Sequence, residues 1–203
     1  MRVSREKVME NRRTILDAAG RLFRERGFEA VTVADVMQAA GLTHGGFYGY
    51  FESKDELIAE TLAEALTRTT TGPLSDLSAY ASEYLSRAHR DDLGRGCPTA
   101  ALAAETIRQA GGARTELTKG LRQQIERFSR VAVGEDSVQK RQTAIGSWAA
   151  MVGAMILARA SDDPKLSNEV LDQTRAWLEA KAKDHKQPKS GNGMAKARRL
   201  AKN

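Results

Sequence analysis

The chain has 203 residues, of which 41% are hydrophobic and 29% charged, and its formal net charge is +6. This composition predicts a globular protein with a sizeable core, built as one large domain or as a small domain joined to a larger one. The single cysteine excludes an internal disulfide framework and a multi-cysteine zinc site, which fits a cytoplasmic protein. We expect no signal peptide and no membrane span, because the most apolar run, residues 144–158, is too short to cross a bilayer.

The positive charge is concentrated at the carboxyl end. Residues 181–203 hold eight Lys or Arg and one acidic residue, which leaves 24 basic against 25 acidic residues in 1–180. Residues 185–203 contain few large apolar side chains, so they predict a basic, disordered tail. A protein that binds DNA without sequence preference through this tail is therefore the alternative to any function carried by the folded part.

Helical spacing of apolar residues runs along the chain and strand alternation does not, which predicts an all-α fold of about nine helices. The first helix, near residues 5–26, ends at Gly27. Its predicted buried face consists of Val8, Ile15, Ala19 and Leu22.

A helix-turn-helix follows the first helix. Thr32 and Asp35 form a capping-box pattern at the start of the second helix, and Gly41 has the position of a left-handed residue that ends it. Thr43 is the predicted cap of a third helix, at residues 44–50, and Ser53 caps the next. Two amphipathic helices joined by a short turn make residues 44–50 the candidate recognition helix.

The recognition helix is rich in glycine, although each glycine costs a helix about 1 kcal/mol relative to alanine. Glycine at 45, 46 and 49 lets the backbone approach phosphates and base edges closely. Phe47 and Phe51 share one face and are predicted to hold the helix on the core. Tyr48 lies on another face, where its hydroxyl can reach a phosphate.

Residues 12–57, RRTILDAAGRLFRERGFEAVTVADVMQAAGLTHGGFYGYFESKDEL, resemble the amino-terminal DNA-binding domain of the TetR family of transcriptional repressors. The resemblance covers about a quarter of the chain and includes the Ala-Gly-Leu-Thr turn and the Phe-Tyr-x-Tyr-Phe sequence. It implies a regulator, most simply a repressor, that binds double-stranded operator DNA as a homodimer. The positions that it implies contact the operator are Thr32, Thr43, His44, Gly45, Gly46, Tyr48, Tyr50 and Lys54.

The resemblance also implies how the chain is divided into domains, and the basic tail follows them. Residues 1–58 form the helix-turn-helix domain, 59–184 a helical effector-binding and dimerisation domain, and 185–203 the basic tail. The helices near 137–161 and 164–183 correspond to those that pair across the dimer in the family. The first of these two is apolar nearly all round, which independently favours burial against a second subunit, or within a monomer as the alternative.

Cys97 precedes Pro98, a residue favoured at the first position of a helix, so Cys97 is a predicted N-cap. The positive end of that helix and the nearby Arg95 both favour the thiolate form. The Gly-Cys-Pro stretch resembles a TetR subgroup in which some members sense electrophiles or oxidants through this cysteine. In that subgroup a lysine can partner the sulfur, and Arg159 has the aligned position here. The alternative is that Cys97 is a small buried side chain that packs in the hydrophobic core and senses nothing.

A small-molecule pocket in the second domain is the other effector hypothesis, and core packing is the alternative role of each candidate residue. The candidates are Tyr80, Tyr84, His89, Phe128, Trp148 and Met151. We expect no enzyme activity, cofactor or metal site, because the catalytic motifs of common enzyme classes are missing. The weak exceptions are a metal site at Glu83, His89, Asp91 and Asp92 and a nucleophile pair of Cys97 with His89.

Overall fold

The computed structural model describes residues 4–184, in which every regular element is a helix. This confirms the all-α prediction; residues 1–3 and the predicted tail, 185–203, lie outside the described residues. The elements are α1 (Arg5–Arg26), α2 (Val33–Ala39), a 3-10 helix (His44–Gly49), α3 (Lys54–Thr70), α4 (Leu77–Tyr84), α5 (Arg87–Asp91), α6 (Pro98–Thr106), α7 (Gly111–Val131), α8 (Ser137–Ala160) and α9 (Pro164–Asp184).

Side-chain caps define the starts of the helices as the sequence predicts. Thr32 Oγ1 accepts the N–H of Asp35 at 3.1 Å, and the Asp35 carboxylate accepts the N–H of Thr32 at 2.8 Å. Ser53 accepts the N–H of Glu56 at 3.1 Å at the start of α3. These contacts span three residues, so the sequence alone specifies them.

Two local predictions are wrong. The segment His44–Gly49, called the recognition segment below, is a 3-10 helix rather than an α-helix, and Thr43 makes no side-chain cap bond to it. A short segment with three glycines gains little from α-helical propensity, so its tertiary anchors set its geometry. In α1, Val8 is 37% exposed, because the buried face of the helix begins only at Ile15.

The first hydrophobic cluster joins α1, α2, the recognition segment and α3. Phe23, Phe28 and Leu57 are fully buried in it, and Leu102 of α6 and Ala113 of α7 also belong to it. The helix-turn-helix core is therefore closed on one side by the second domain. The boundary predicted after residue 58 lies within α3, which runs unbroken to Thr70, and it stays a prediction.

Two polar contacts fasten α1 to the segment around α6. The Arg24 Nε donates to the carbonyl of Gly94 at 2.7 Å, just before α6. The Glu105 carboxylate, near the end of α6, accepts the backbone N–H of Phe28 at 2.8 Å. The segment before α6 and the end of α6 are thus both hydrogen-bonded to the region where α1 ends.

The second hydrophobic cluster lies among α4, α7, α8 and α9. By length and composition α8 is long and apolar enough to cross a membrane, with a mean hydropathy of 1.3 over its best window. Here α7 and α9 pack against it, and Trp148, Met151 and Met155 are buried between them. One third of the apolar window of α8 is buried in this way within the single chain.

Candidate nucleic-acid interface and effector region

Two aromatic side chains anchor the recognition segment to the core. Phe47 and Phe51 are 0% and 2% exposed, and their rings stack with centroids 5.7 Å apart. The Arg12 guanidinium of α1 lies 4.7 Å from the centroid of the Phe51 ring and also bonds Glu60 of α3 at 2.5 Å. The side of the recognition segment that carries Phe47 and Phe51 is therefore fixed to the core. The opposite side is left to contact a partner.

The outward side of the recognition segment carries several of the predicted DNA contacts. The side chains of Thr43 and His44 are exposed, and Tyr48 is 74% exposed with its ring edge against Phe47. A Cβ on Gly45 would meet nothing within 4 Å, so the backbone there is open to close approach. Gly46 and Lys54 are half-buried beside this surface.

Two of the predicted contacts have their hydroxyl groups engaged inside the protein. The Thr32 hydroxyl donates to the Asp35 carboxylate at 2.6 Å, and this hydrogen bond lowers the pKa of Asp35. The Tyr50 hydroxyl accepts from the Asn11 side chain at 2.8 Å. Asn11 and Arg12 were missed by the sequence analysis, because their partners lie 39 to 48 residues away and no local pattern signals them.

The structure brings the predicted effector residues of the second domain into one cluster. Tyr80 and Phe128 lie with ring centroids 5.0 Å apart, and Trp148 lies 5.5 Å from Phe128 and 5.4 Å from Tyr84. Met151 is fully buried in the same cluster. Edge-to-face geometry dominates, which is the arrangement that aromatic quadrupoles favour.

A cavity of about 440 Å³ opens beside this cluster. Tyr80, Tyr84, His89 and Cys97 line it, whereas Phe128, Trp148 and Met151 are absent from the lining and lie in the core behind. The predicted pocket residues therefore divide into a cavity wall and a supporting layer.

The His89 imidazole connects two parts of the cavity wall. Its Nδ1 lies 2.6 Å from the carbonyl oxygen of Tyr84, and its Nε2 lies 3.1 Å from the backbone nitrogen of Cys97. A carbonyl only accepts and an amide N–H only donates, so Nδ1 carries the proton and Nε2 is the acceptor. Burial lowers the pKa of His89, which favours this neutral form.

The charged groups around Cys97 differ from the expectation. Cys97 is the N-cap of α6, as predicted, and it is 6% exposed. The Arg95 guanidinium, expected beside the thiol, is turned to the Asp92 carboxylate at 2.8 Å. Arg159, which has the aligned position of the subgroup's lysine, packs against Gly96 next to Cys97 and donates to the carbonyls of His89 and Arg90.

Several buried polar atoms of the second domain have no hydrogen-bond partner within the described residues. They include the Tyr84 hydroxyl, the Trp148 Nε1–H and both side-chain polar atoms of Gln124. Burial raises the pKa of Tyr84, so its hydroxyl stays protonated. Gln124, one turn before Phe128 on α7, was missed because a glutamine on a helix ordinarily faces solvent.

The predicted weak metal site is not assembled. Over residues 4–184, no three His, Cys, Asp or Glu side chains lie close enough together to hold a metal ion. Asp91 and Asp92 are instead paired with Arg90 and Arg95, which lower the pKa of each carboxyl group.

Comparison with known proteins identifies relatives over part of the chain. TtgR of Pseudomonas putida, an HTH-type transcriptional regulator, is 38% identical over 69 residues, which are 34% of this chain and 32% of TtgR. The repressor KstR2 of Rhodococcus jostii is 48% identical over 52 residues, which are 25% and 26% of the two chains. The match thus spans about a third of the length of TtgR and about a quarter of the length of KstR2.

Solved structures share the fold over nearly the whole chain. The reduced form of Escherichia coli NemR superposes with a TM-score of 0.70 at 22% identity, covering 84% of this chain and 97% of NemR. A TetR-family regulator of Agrobacterium tumefaciens gives 0.69 at 21% identity, covering 85% and 98%.

Family models account for both domains. Residues 15–61 match the model of bacterial regulatory proteins of the tetR family, and residues 73–174 match the tetracyclin repressor-like C-terminal domain. Since the second match alone takes in half of the 203 residues, the chain belongs to the TetR family of transcriptional regulators.

Proposed function

We propose that this TetR-family regulator is a dimeric repressor that binds a two-fold symmetric operator and is released by an effector in its second domain. The observation that carries the proposal is the recognition segment. Its outward side chains, His44 and Tyr48, are exposed, while Phe47 and Phe51 hold its inner side in the core. A rigid, exposed segment of this kind can enter a major groove with a fixed orientation.

The proposed DNA contacts divide into two roles. Tyr48, Thr43 and Lys54 carry the hydroxyl and ammonium groups that contact phosphates and set the register of the protein on DNA. His44 and the bare backbone at Gly45 and Gly46 face the bases. Thr32 and Tyr50 contribute by holding α2 and the recognition segment, since their hydroxyls already have protein partners.

The proposed dimer forms through α8 and α9. Both helices expose large apolar side chains in the single chain. These side chains are Val138, Ile145, Ile156, Leu157, Leu166 and Trp177. A second copy related by a two-fold axis would cover them and would set two recognition segments about 34 Å apart, one turn of DNA.

The proposed effector site is the cavity lined by Tyr80, Tyr84, His89 and Cys97. The Tyr84 hydroxyl belongs to a residue of the cavity wall and has no hydrogen-bond partner within the described residues, which supports a ligand with a polar atom, because buried polar groups in folded proteins almost always have partners. Modification of Cys97 is the second route to release. It would disturb the start of α6, which is tied to α1 at Gly94 and at Glu105.

Release is a shift between two populations of the dimer, of which only one has the half-site spacing of the operator. The cysteine route rests on the position of Cys97 as the N-cap of α6. A regulator that binds an operator acts where the DNA is, so the proposal places the protein in the cytoplasm.

Selection of duplexes from a random DNA library by the full chain, at near-physiological salt, tests the proposal. We expect enrichment of a two-fold symmetric site. Retention of DNA without an enriched sequence would instead support the nonspecific binder that uses the basic tail. The enriched duplex then serves to test release: N-ethylmaleimide should release the wild type, and Cys97→Ser should bind equally well but resist release.

A further inference from the structure

Two consecutive residues of α1 contact the two residues that follow the recognition segment. The Asn11 Nδ2 donates to the hydroxyl oxygen of Tyr50 at 2.8 Å. The Arg12 guanidinium lies over the Phe51 ring and pairs with Glu60 of α3. Phe51 is 2% exposed, whereas Asn11 and Tyr50 are only half-buried. The Arg12 contact therefore belongs to the core, and the Asn11 contact lies nearer the surface.

The Tyr50 ring lies beside residues that the proposed function assigns to DNA. A Cβ built on Gly46 would lie 4.0 Å from the Tyr50 Cε2 and 3.7 Å from the Thr43 Oγ1. Thr43 is exposed, and Gly46 is half-buried next to it. Thr43, Gly46 and Tyr50 thus form a continuous row, and Asn11 stands at the end of that row through its bond to the Tyr50 hydroxyl.

Besides holding the recognition segment, the Tyr50 hydroxyl keeps one unused donor. A phenol hydroxyl both accepts and donates, and the bond from Asn11 uses only its capacity to accept. Within residues 4–184 the hydroxyl donates to no protein group. The Thr32 hydroxyl differs, because it accepts the N–H of Asp35 and also donates to the Asp35 carboxylate. The Tyr50 hydrogen is therefore available to an acceptor outside the chain.

The bond from Asn11 also gives that hydrogen a direction. The hydrogen of a phenol lies close to the ring plane, on one of the two sides of the oxygen. Because the Asn11 N–H occupies one of these sides, the hydrogen is turned to the other. A hydroxyl that accepts a hydrogen bond is polarised and becomes a stronger donor. Phosphate oxygens are common acceptors for tyrosine hydroxyls in complexes with DNA.

We propose that Asn11 is a positioning residue for operator binding, which acts by turning the Tyr50 hydroxyl hydrogen towards a DNA phosphate. The inference rests on the proposed function, since it needs the recognition segment to face DNA. It extends the interface to α1, which sets the direction of one phosphate contact without contacting the bases. A fixed donor of this kind helps to define the register of the protein on the duplex.

The test is a double-mutant cycle of Asn11→Asp and Tyr50→Phe in the full chain, titrated with the duplex that the selection enriches. Aspartate has the shape of asparagine but only accepts, so its carboxylate takes the Tyr50 hydrogen away from the phosphate. Tyr50→Phe should weaken binding about tenfold, because one hydrogen bond to a charged group is lost. The loss caused by Asn11→Asp should be about tenfold larger in the wild-type background than in the Tyr50→Phe background.

The cycle separates positioning from a purely structural bridge. Asn11→Asp keeps a hydrogen bond between α1 and Tyr50, and its negative charge repels the phosphates equally in both backgrounds. A structural bridge therefore predicts equal losses of affinity. Asn168→Ala is the control: it removes a carboxamide that bonds Arg87 and Arg90 in the second domain, and it should bind the duplex as the wild type does. Urea unfolding confirms that every variant is folded during the titrations.

Two outcomes overturn the proposal while the proposed function stands. They are equal losses from Asn11→Asp in the two backgrounds and wild-type affinity of Tyr50→Phe, each in an experiment where Tyr48→Ala still weakens binding. A wild type that enriches no sequence overturns the proposed function, and the role of Asn11 falls with it.

Discussion

The His89 imidazole accepts the backbone N–H of Cys97 at 3.1 Å, which ties the end of α5 to the start of α6. The same ring donates to the carbonyl of Tyr84, the last residue of α4. One neutral side chain thus holds three helices together around the proposed effector cavity. The hydrogen bond from the Cys97 N–H needs the neutral ring, because a protonated imidazole has no acceptor, whereas the bond to the Tyr84 carbonyl can form in either state.

The stability of the protein should therefore depend on pH through His89. Burial lowers the pKa of His89 in the folded protein from its ordinary value of 6.5. At pH values between this lowered pKa and 6.5, the unfolded chain therefore binds the proton more readily than the folded protein does. This contribution to stability is fully present above pH 6.5 and is lost as the pH falls towards the lowered pKa. Thermal unfolding at pH 7.5 and 5.5 should show a larger fall in Tm for the wild type than for His89→Gln, and equal falls would contradict the assignment.

Tyr48→Ala and Phe47→Ala should separate binding from folding in the recognition segment. Tyr48 is 74% exposed, so its loss should leave the free energy of unfolding within about 0.5 kcal/mol and weaken operator binding. Phe47 is fully buried, and its truncation should cost about 3–5 kcal/mol. Urea unfolding and operator titration of both variants check this. A Tyr48→Ala protein with unchanged operator affinity would remove Tyr48 from the interface.

Gly120→Ala should destabilise the contact between α3 and α7. A Cβ at Gly120 would lie 2.7 Å from Leu66 Cδ1 and 2.8 Å from Leu66 Cβ, which forces the two helices apart. We expect a loss of about 1–3 kcal/mol, typical of overpacking. Gly112→Ala is the matched control on the same helix, because its Cβ would meet Ala59 at an ordinary 3.5 Å. Equal urea midpoints for the two variants would show that α7 moves freely away from α3.

Ile145→Glu should dissociate the proposed dimer. Ile145 is 43% exposed on α8, and a buried, unpaired carboxylate would be strongly unfavourable in an apolar interface. Ile107→Glu is the control, since Ile107 is 69% exposed and follows the last residue of α6, outside α8 and α9. Light scattering after gel filtration should give half the wild-type mass for Ile145→Glu and the wild-type mass for Ile107→Glu. A wild type that is monomeric at all concentrations would refute the dimer.

Features that depend on neighbouring residues could be predicted from the sequence. The capping box at Thr32, the cap at Ser53, the left-handed Gly41 and the N-cap position of Cys97 all follow from residue types within a few positions. The burial of Phe47 and Phe51 follows from their spacing on one face.

Features that depend on distant residues could not be predicted. The 3-10 geometry of His44–Gly49 reflects how the core holds a glycine-rich segment, and intrinsic propensity does not encode it. The partners of Arg12 and Arg159 lie 48 and 69 to 70 residues away in sequence, and only the packed fold brings them together. The unpartnered Gln124 and Thr61 are visible only when every buried polar atom is matched with its neighbours.

The placement of the two tryptophans gives the protein separate fluorescent reporters. Trp148 is 6% exposed within the aromatic cluster behind the effector cavity, whereas Trp177 is 50% exposed on α9. Iodide in solution can quench the emission of Trp177 while Trp148 remains shielded. Trp148→Phe and Trp177→Phe would each leave one emitter, so that occupation of the cavity and association of two chains can be followed independently, without any added dye.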